Sequence, residues 1–144
     1  MRLFLDSSVI AKLFIEEKGS EGAMEIMKLC DTKNIEIKAS GLALYEVGNT
    51  ILRNLGKKSR TAAEYMVQLF LLNMDYVPLD CDLASRAMEV AVKHEVTYYD
   101  AVHIATCSEN KGELVTEDKV LHKKFDMTLN IKEALARIAN HKKR

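Results

Sequence analysis

The chain has 144 residues, enough for one domain with a proper core. Hydrophobic residues make up 48% and charged residues 29%, an ordinary soluble balance, and the formal net charge of zero excludes a chain-wide cationic nucleic-acid binder. Apolar runs too short to cross a bilayer, the absence of a signal-peptide pattern before Asp6, and three cysteines (Cys30, Cys81, Cys107) without a CxxC pair point to a cytoplasmic protein with neither a disulfide framework nor a zinc ribbon.

Short β-like runs alternate with long helical patterns, the βα signature of a parallel sheet. Leu3 to Leu5 reads as a buried strand ending at Asp6, and a helix follows from about Ser8 to Glu16. A second helix is expected from Ser20 to Cys30, and a strand from Ile35 to Ser40. The next helix spans Leu42 to Leu55, with an apolar stripe of Leu44, Val47, Gly48, Ile51, Leu52 and Leu55, and Gly56 ends it at C′. Thr61 to Met74 is a helix apolar nearly all round. One face should meet the sheet; the rest is either buried inside the domain or meets another helix, subunit or partner. Tyr76 to Leu79 is a short strand containing Pro78, which cannot donate to a ladder and so places it at a sheet edge. Asp80 caps a helix from Cys81 to His94, and another begins at Tyr98. A strand at Glu113 to Val115, a short helix after Glu117, a weak strand near Met127 to Leu129 and a helix from Ile131 to Asn140 complete the chain.

Four acids fall at or near element junctions, and each has a bland reading. Asp6 follows the first strand and could be a helix N-cap. Thr97 and Asp100 resemble a capping box, yet the helix behind Asp100 is apolar on most sides. Asp118 follows a strand and could be a first-turn acid. Glu46 lies opposite its helix's apolar stripe, which predicts solvent exposure, with Asn49 on the same side. In an open parallel sheet, ligands bind beyond the carboxyl ends of the strands. Carboxylates gathered there repel one another, and a hard divalent cation such as Mg²⁺ relieves that repulsion.

The segments "FLDSSVIAKLF", "LALYEVGNTIL", "VTYYDAVHIATC" and "LVTEDKVLHKKF" resemble, in order and approximate spacing, the four acidic motifs of the PIN-domain ribonucleases, most closely the VapC-like toxins of toxin–antitoxin pairs. The resemblance covers Arg2 to about Ile131, and the whole chain, residues 1–144 with a basic tail from about 140, reads as a single PIN-like domain. It implies a three-layer α/β/α sandwich whose parallel sheet has strand order 3-2-1-4-5. It implies a Mg²⁺- or Mn²⁺-dependent endoribonuclease in which a metal-activated water attacks a phosphodiester, leaving a 5′-phosphate and a 3′-hydroxyl. Asp6, Glu46, Asp100 and Asp118 match the catalytic and metal-binding acids, with Ser8, Asn49 and Thr116 in supporting roles that orient carboxylates or water. Glu117 stands where the family usually has a small residue. RNA as substrate, a homodimer and a VapB-like antitoxin are implied as well, the antitoxin plugging the acidic mouth with a basic side chain such as arginine.

Other readings use the same residues. Asp100, His103 and Cys107 share a helical face and could suggest zinc, although a histidine beside a carboxylate is more often a hydrogen-bond partner or packed core. His94, His122 and His141 have no recognisable site context. A receiver-type signalling domain would use Asp80 as phospho-acceptor but leaves Glu46 and Asp100 without roles. A non-catalytic PIN-like module would bind RNA or protein without cutting. Local basic clusters, Lys57, Lys58 and Arg60, Lys123 and Lys124, and the tail from His141 to Arg144, could rim an acidic site for RNA or simply be solvated.

Overall fold

A computed structural model describes residues 1–33, 35–56 and 60–141. Five strands, β1 (Arg2–Leu5), β2 (Glu36–Ser40), β3 (Asp75–Val77), β4 (Glu113–Val115) and β5 (Thr128–Leu129), form one sheet in the order β3-β2-β1-β4-β5. All four pairings are parallel; Leu3 stands opposite Ile37 on one side and Glu113 on the other. β1 is therefore central and β3 is an edge, as expected, but β3 ends at Val77 and Pro78 lies just past it rather than within it, since a proline cannot extend the ladder.

The strands are short and apolar because both faces are covered. Leu3 and Leu5 point to one layer and Phe4 to the other, the alternation of a pleated strand. The first layer holds α1 (Ser7–Ala11), α2 (Ser20–Lys33), α3 (Leu42–Leu55), α4 (Thr61–Leu71) and α8 (Ile131–Ala139), packed through residues such as Val9, Ile26, Val47, Leu69 and Ile138. The second holds α5 (Cys81–His94), α6 (Tyr98–Glu109) and α7 (Lys119–Lys124), packed through Ala87, Ile104 and Leu121. This is the α/β/α sandwich with strand order 3-2-1-4-5. Gly22 of α2 lies against α8 so closely that a Cβ would stand 2.5 Å from Ile131 Cγ2.

Several boundaries differ from expectation for local reasons. α1 stops at Ala11, not near Glu16. Beyond it the amides of Leu13 and Phe14 bond carbonyls three residues back, and Ser20 Oγ donates to the Ile15 carbonyl while accepting from the Glu17 amide. Side-chain bonds of this kind compete with helix continuation. α2 runs on to Lys33, whose ammonium donates to the carbonyls of Ile138 and Ala139 at the end of α8. α4 ends at Leu71 because Leu72 takes extended backbone and leads into β3. Gly56 closes α3 at φ +82°, a region that favours glycine, with its N–H on the Leu52 carbonyl.

Full burial of the α4 helix inside the domain does not hold. Only Leu69 is buried, whereas Val67, Phe70 and Leu71 are 61%, 63% and 78% exposed. Lys57, Lys58 and residues 142–144 of the basic clusters lie outside the described residues. Lys124 is committed to the carbonyls of His94 and Glu95. Among the described residues no helix is long and apolar enough to cross a membrane.

Candidate metal centre

The C-terminal ends of β2, β1 and β4 are neighbours, and each delivers a polar residue to one place: Ser40, Asp6 and Thr116. Asp6 occupies the N-cap position of α1 without capping it through its side chain. Its carboxylate instead collects hydroxyls. Oδ2 accepts from Thr116 Oγ1 at 2.7 Å and Ser8 Oγ at 3.1 Å, and Oδ1 accepts from Ser7 Oγ at 3.3 Å. A buried carboxylate held by neutral donors keeps lone pairs for a cation.

Glu46 is not the solvated acid that its helical position suggested. It lies beside the buried Ala43 and Val47 ridge, and its Oε2 is 2.6 Å from His103 Nε2. His103 is 3% exposed; its Nδ1 is 2.9 Å from Ser40 Oγ, and its Nε2 is 3.7 Å from Asp6 Oδ1. Burial pushes the His103 imidazole down, but its bond to Glu46 and the charges of Asp6, Glu46 and Asp100 outweigh this and raise it. Burial likewise pushes the Glu46 carboxyl up, and the hydrogen bond and charge of His103 with the Ser7 hydroxyl hold it below its ordinary value.

Of the four predicted acids, two enter this tight group. The ligand atoms of Asp6, Glu46 and His103 all lie within 4.8 Å of one another. Asp100 stands one turn before His103 on α6, and its Oδ2 accepts from Thr97 Oγ1 at 2.6 Å. The Thr97 hydroxyl in turn caps the Asp100 amide, so the capping reading of this pair is correct. Asp118 is exposed and caps α7, Oδ1 accepting from the amides of Val120 and Leu121. Its own amide donates to Thr116 Oγ1, which ties it to the Asp6 seat. Glu117 turns away and accepts from the Ile131 amide at the start of α8.

Ser7, Ser40 and His103 were not foreseen as site residues. Their signals were a second hydroxyl after Asp6, a serine ending the strand beside β1, and a histidine one turn after Asp100. The zinc arrangement fails because Cys107 is fully buried among Phe4, Ile104, Leu114 and Leu121, its thiol pushed up to about 12 by burial. Asp80 caps α5 through the Leu83 amide, as the sequence suggested, and is not among the residues that gather at Asp6. His122, by contrast, does have a context: its Nε2 is 2.9 Å from the Thr116 carbonyl and its Nδ1 3.0 Å from Thr128 Oγ1, bracing the loop after β4.

The donor set fits a divalent cation. Hard carboxylate oxygens suit Mg²⁺ and Mn²⁺, and an open mouth leaves room for water and a phosphate. A groove of about 870 Å³ opens from this mouth along α3, lined by Ser7, Ser8, Glu46, Asn49, Thr50 and Arg53.

The chain resembles known proteins over most of its length. The PIN domain family model matches residues 3–126. Ribonuclease VapC3 from Pyrobaculum aerophilum is 30% identical over 129 residues, covering 87% of this chain and 95% of that protein. The crystal structure of PAE2754 from the same organism superposes with a TM-score of 0.70 at 21% identity, covering 98% of this chain and 100% of that one. A toxin–antitoxin complex from Klebsiella pneumoniae contains a chain with a TM-score of 0.70 at 17% identity, covering 90% of this chain and 97% of that one. A family match running from β1 through β4 and including all four acids, together with a relative at this identity and coverage, places the chain in the PIN domain family.

Proposed function

We propose that this protein is a metal-dependent endoribonuclease of the VapC type, the toxin of a toxin–antitoxin pair. The observation that carries the reading is the Asp6 seat: a carboxylate fixed by three hydroxyls, with the Glu46 carboxylate and His103 imidazole gathered within 4.8 Å of it. The similarity to Ribonuclease VapC3 supports RNA as substrate.

Asp6 and Glu46 hold the cation from the tight group, with Asp100 and Asp118 completing the acidic rim as metal and catalytic residues. A bound Mg²⁺ or Mn²⁺ supplies Lewis-acid polarisation of a phosphoryl oxygen and makes water a better nucleophile. Ser8 and Thr116 fix Asp6, and Asn49 lines the groove where the strand approaches. Water adds to phosphorus, the bond to the 3′ oxygen breaks, and a proton passes to that oxygen, giving a 5′-phosphate and a 3′-hydroxyl. The RNA lies along the groove, where Arg53 presents a guanidinium to a phosphate beyond the acids.

A cytoplasmic homodimer bound by a VapB-like antitoxin is the assembly we favour. The exposed Val67, Phe70 and Leu71 of α4 supply an apolar face for it. Incubation with mixed structured and single-stranded RNA under Mg²⁺, Mn²⁺ or EDTA tests the activity. Cleavage that needs metal and vanishes in Asp6→Asn supports the nuclease; wild-type protein that binds RNA without cutting it supports a non-catalytic PIN-like module.

A further inference from the structure

We infer that His103 is a positioning residue that sets metal affinity by holding the Glu46 carboxylate toward Asp6, and that Ser40 holds the imidazole for this purpose. The inference rests on the metal-site reading above and extends it to residues that the four acidic motifs do not include.

Glu46 projects from a helix surface at the rim of the groove, where its side chain keeps 25% of its exposure. An unrestrained glutamate there would sample several rotamers, each with the carboxylate at a different distance from Asp6. His103 removes that freedom. Its Nε2 lies 2.6 Å from Glu46 Oε2, a short charge-assisted contact. The ring itself cannot swing, because it is 3% exposed between buried neighbours and its other nitrogen is 2.9 Å from Ser40 Oγ.

A hydroxyl can accept or donate, so Ser40 satisfies Nδ1 whichever proton the ring carries, and Nε2–H keeps facing Glu46. The chain thus runs from the end of β2 through α6 to α3 and on to Asp6, and it joins three elements that local helix or strand preferences do not align. Two roles compete for Nε2: a bond to Glu46, or direct ligation of the metal. The 2.6 Å approach to Glu46 against 3.7 Å to Asp6 selects the first.

The test is Mn²⁺ titration by calorimetry, without RNA. His103→Gln retains a side-chain amide near the Nε2 position, and His103→Asn retains only the reach to Ser40. We expect His103→Gln to bind within a few-fold of wild type and His103→Asn to bind about 10- to 100-fold more weakly, the usual loss when a group orienting a ligand is removed. In a Glu46→Gln background the His103→Asn loss should vanish, since the two act as one unit. Equal affinities of Gln and Asn variants, or a full loss in the Glu46→Gln background, would overturn the inference.

Nitrogen hyperfine coupling on bound Mn²⁺ that disappears in His103→Gln would also overturn it, by making His103 a ligand. If near-ultraviolet circular dichroism shows His103→Asn unfolded, Ser40→Ala replaces it. Weaker Mn²⁺ binding there supports the role, and unchanged binding overturns it. A protein that follows this pattern but cuts no RNA leaves the inference standing and removes the nuclease reading.

Discussion

Thr116 Oγ1 donates to Asp6 Oδ2 over 2.7 Å, joining the ends of two adjacent strands that lie 110 residues apart in sequence. The same oxygen accepts from the Asp118 amide at 3.1 Å. One fully buried hydroxyl therefore fixes the first acid and sets the backbone course toward the last. Thr116→Val keeps the shape but strands a carboxylate lone pair and an amide. We expect it to cost about 1–3 kcal/mol, read from denaturant unfolding, and to weaken Mn²⁺ binding. Thr116→Ser should recover most of both.

Asp6→Asn should retain the fold and lose metal-dependent RNA cleavage, because it replaces the charge without changing the volume. Thermal unfolding gives a readout independent of RNA. Mn²⁺ at about 100 times its Kd stabilises a folded protein by about 2.7 kcal/mol, and in Asp6→Asn this shift should disappear. An Mn²⁺-dependent rise in midpoint that survives the substitution would place the ion elsewhere.

The His103–Glu46 pair gives the metal-free protein a defined pH dependence. His103 is held above its ordinary 6.5, so its contribution is complete below that value and is lost as pH rises through the folded value above it. Glu46 is held below its ordinary 4.5, so its contribution is complete above that value and is lost as pH falls through the folded value below it. The two overlap fully between 4.5 and 6.5. Unfolding midpoints of wild type and Glu46→Gln should differ most within that window and converge as pH rises through the raised His103 value. A difference that stays constant across the range would contradict the coupling.

Gly22→Ala tests the packing of α2 on α8. A Cβ there stands 2.5 Å from Ile131 Cγ2, which is branched close to its own backbone and cannot retreat freely. Overpacking costs about 1–3 kcal/mol and exceeds the roughly 0.5–1 kcal/mol that alanine gains over glycine in a helix. Chemical denaturation should show a net loss.

The exposed apolar face of α4 tests the assembly. Phe70→Glu together with Leu71→Glu should leave the domain folded, since both side chains are more than half exposed. Light scattering should then report a monomer for the variant and, if the proposed assembly holds, a dimer for the wild type. An unchanged dimer would move the interface to another surface.

Much of this architecture is written in local pattern. The apolar run of Leu3 to Leu5 reports a buried strand, the α3 stripe reports the buried Val47 and Ile51 although its Leu52 and Leu55 are exposed, and Pro78 marks where the edge strand stops. Strand order was implied only by the resemblance of the four ordered acidic motifs to the PIN-domain family. Element ends were less legible, as at α1, where the backbone tightens to bonds three residues back after Ala11 and Ser20 holds the segment from Ile15 to Glu17 in a turn.

The sequence by itself determined which residue types could make the site: Asp6 and Asp118 just past strands with hydroxyl residues beside them, Asp100 in the first turn of a helix, and Glu46 within one. Only tertiary structure decided which of them meet. Asp6 and Glu46 converge, whereas Asp118 turns its carboxylate to the amides of its own helix. The local signals of His103 and Ser40 were too weak to place them in the site, because the contacts that do so span 57 and 63 residues along the chain. Contacts at that separation depend on how strands line up and on which helix covers which face, and no periodicity within a single element encodes them.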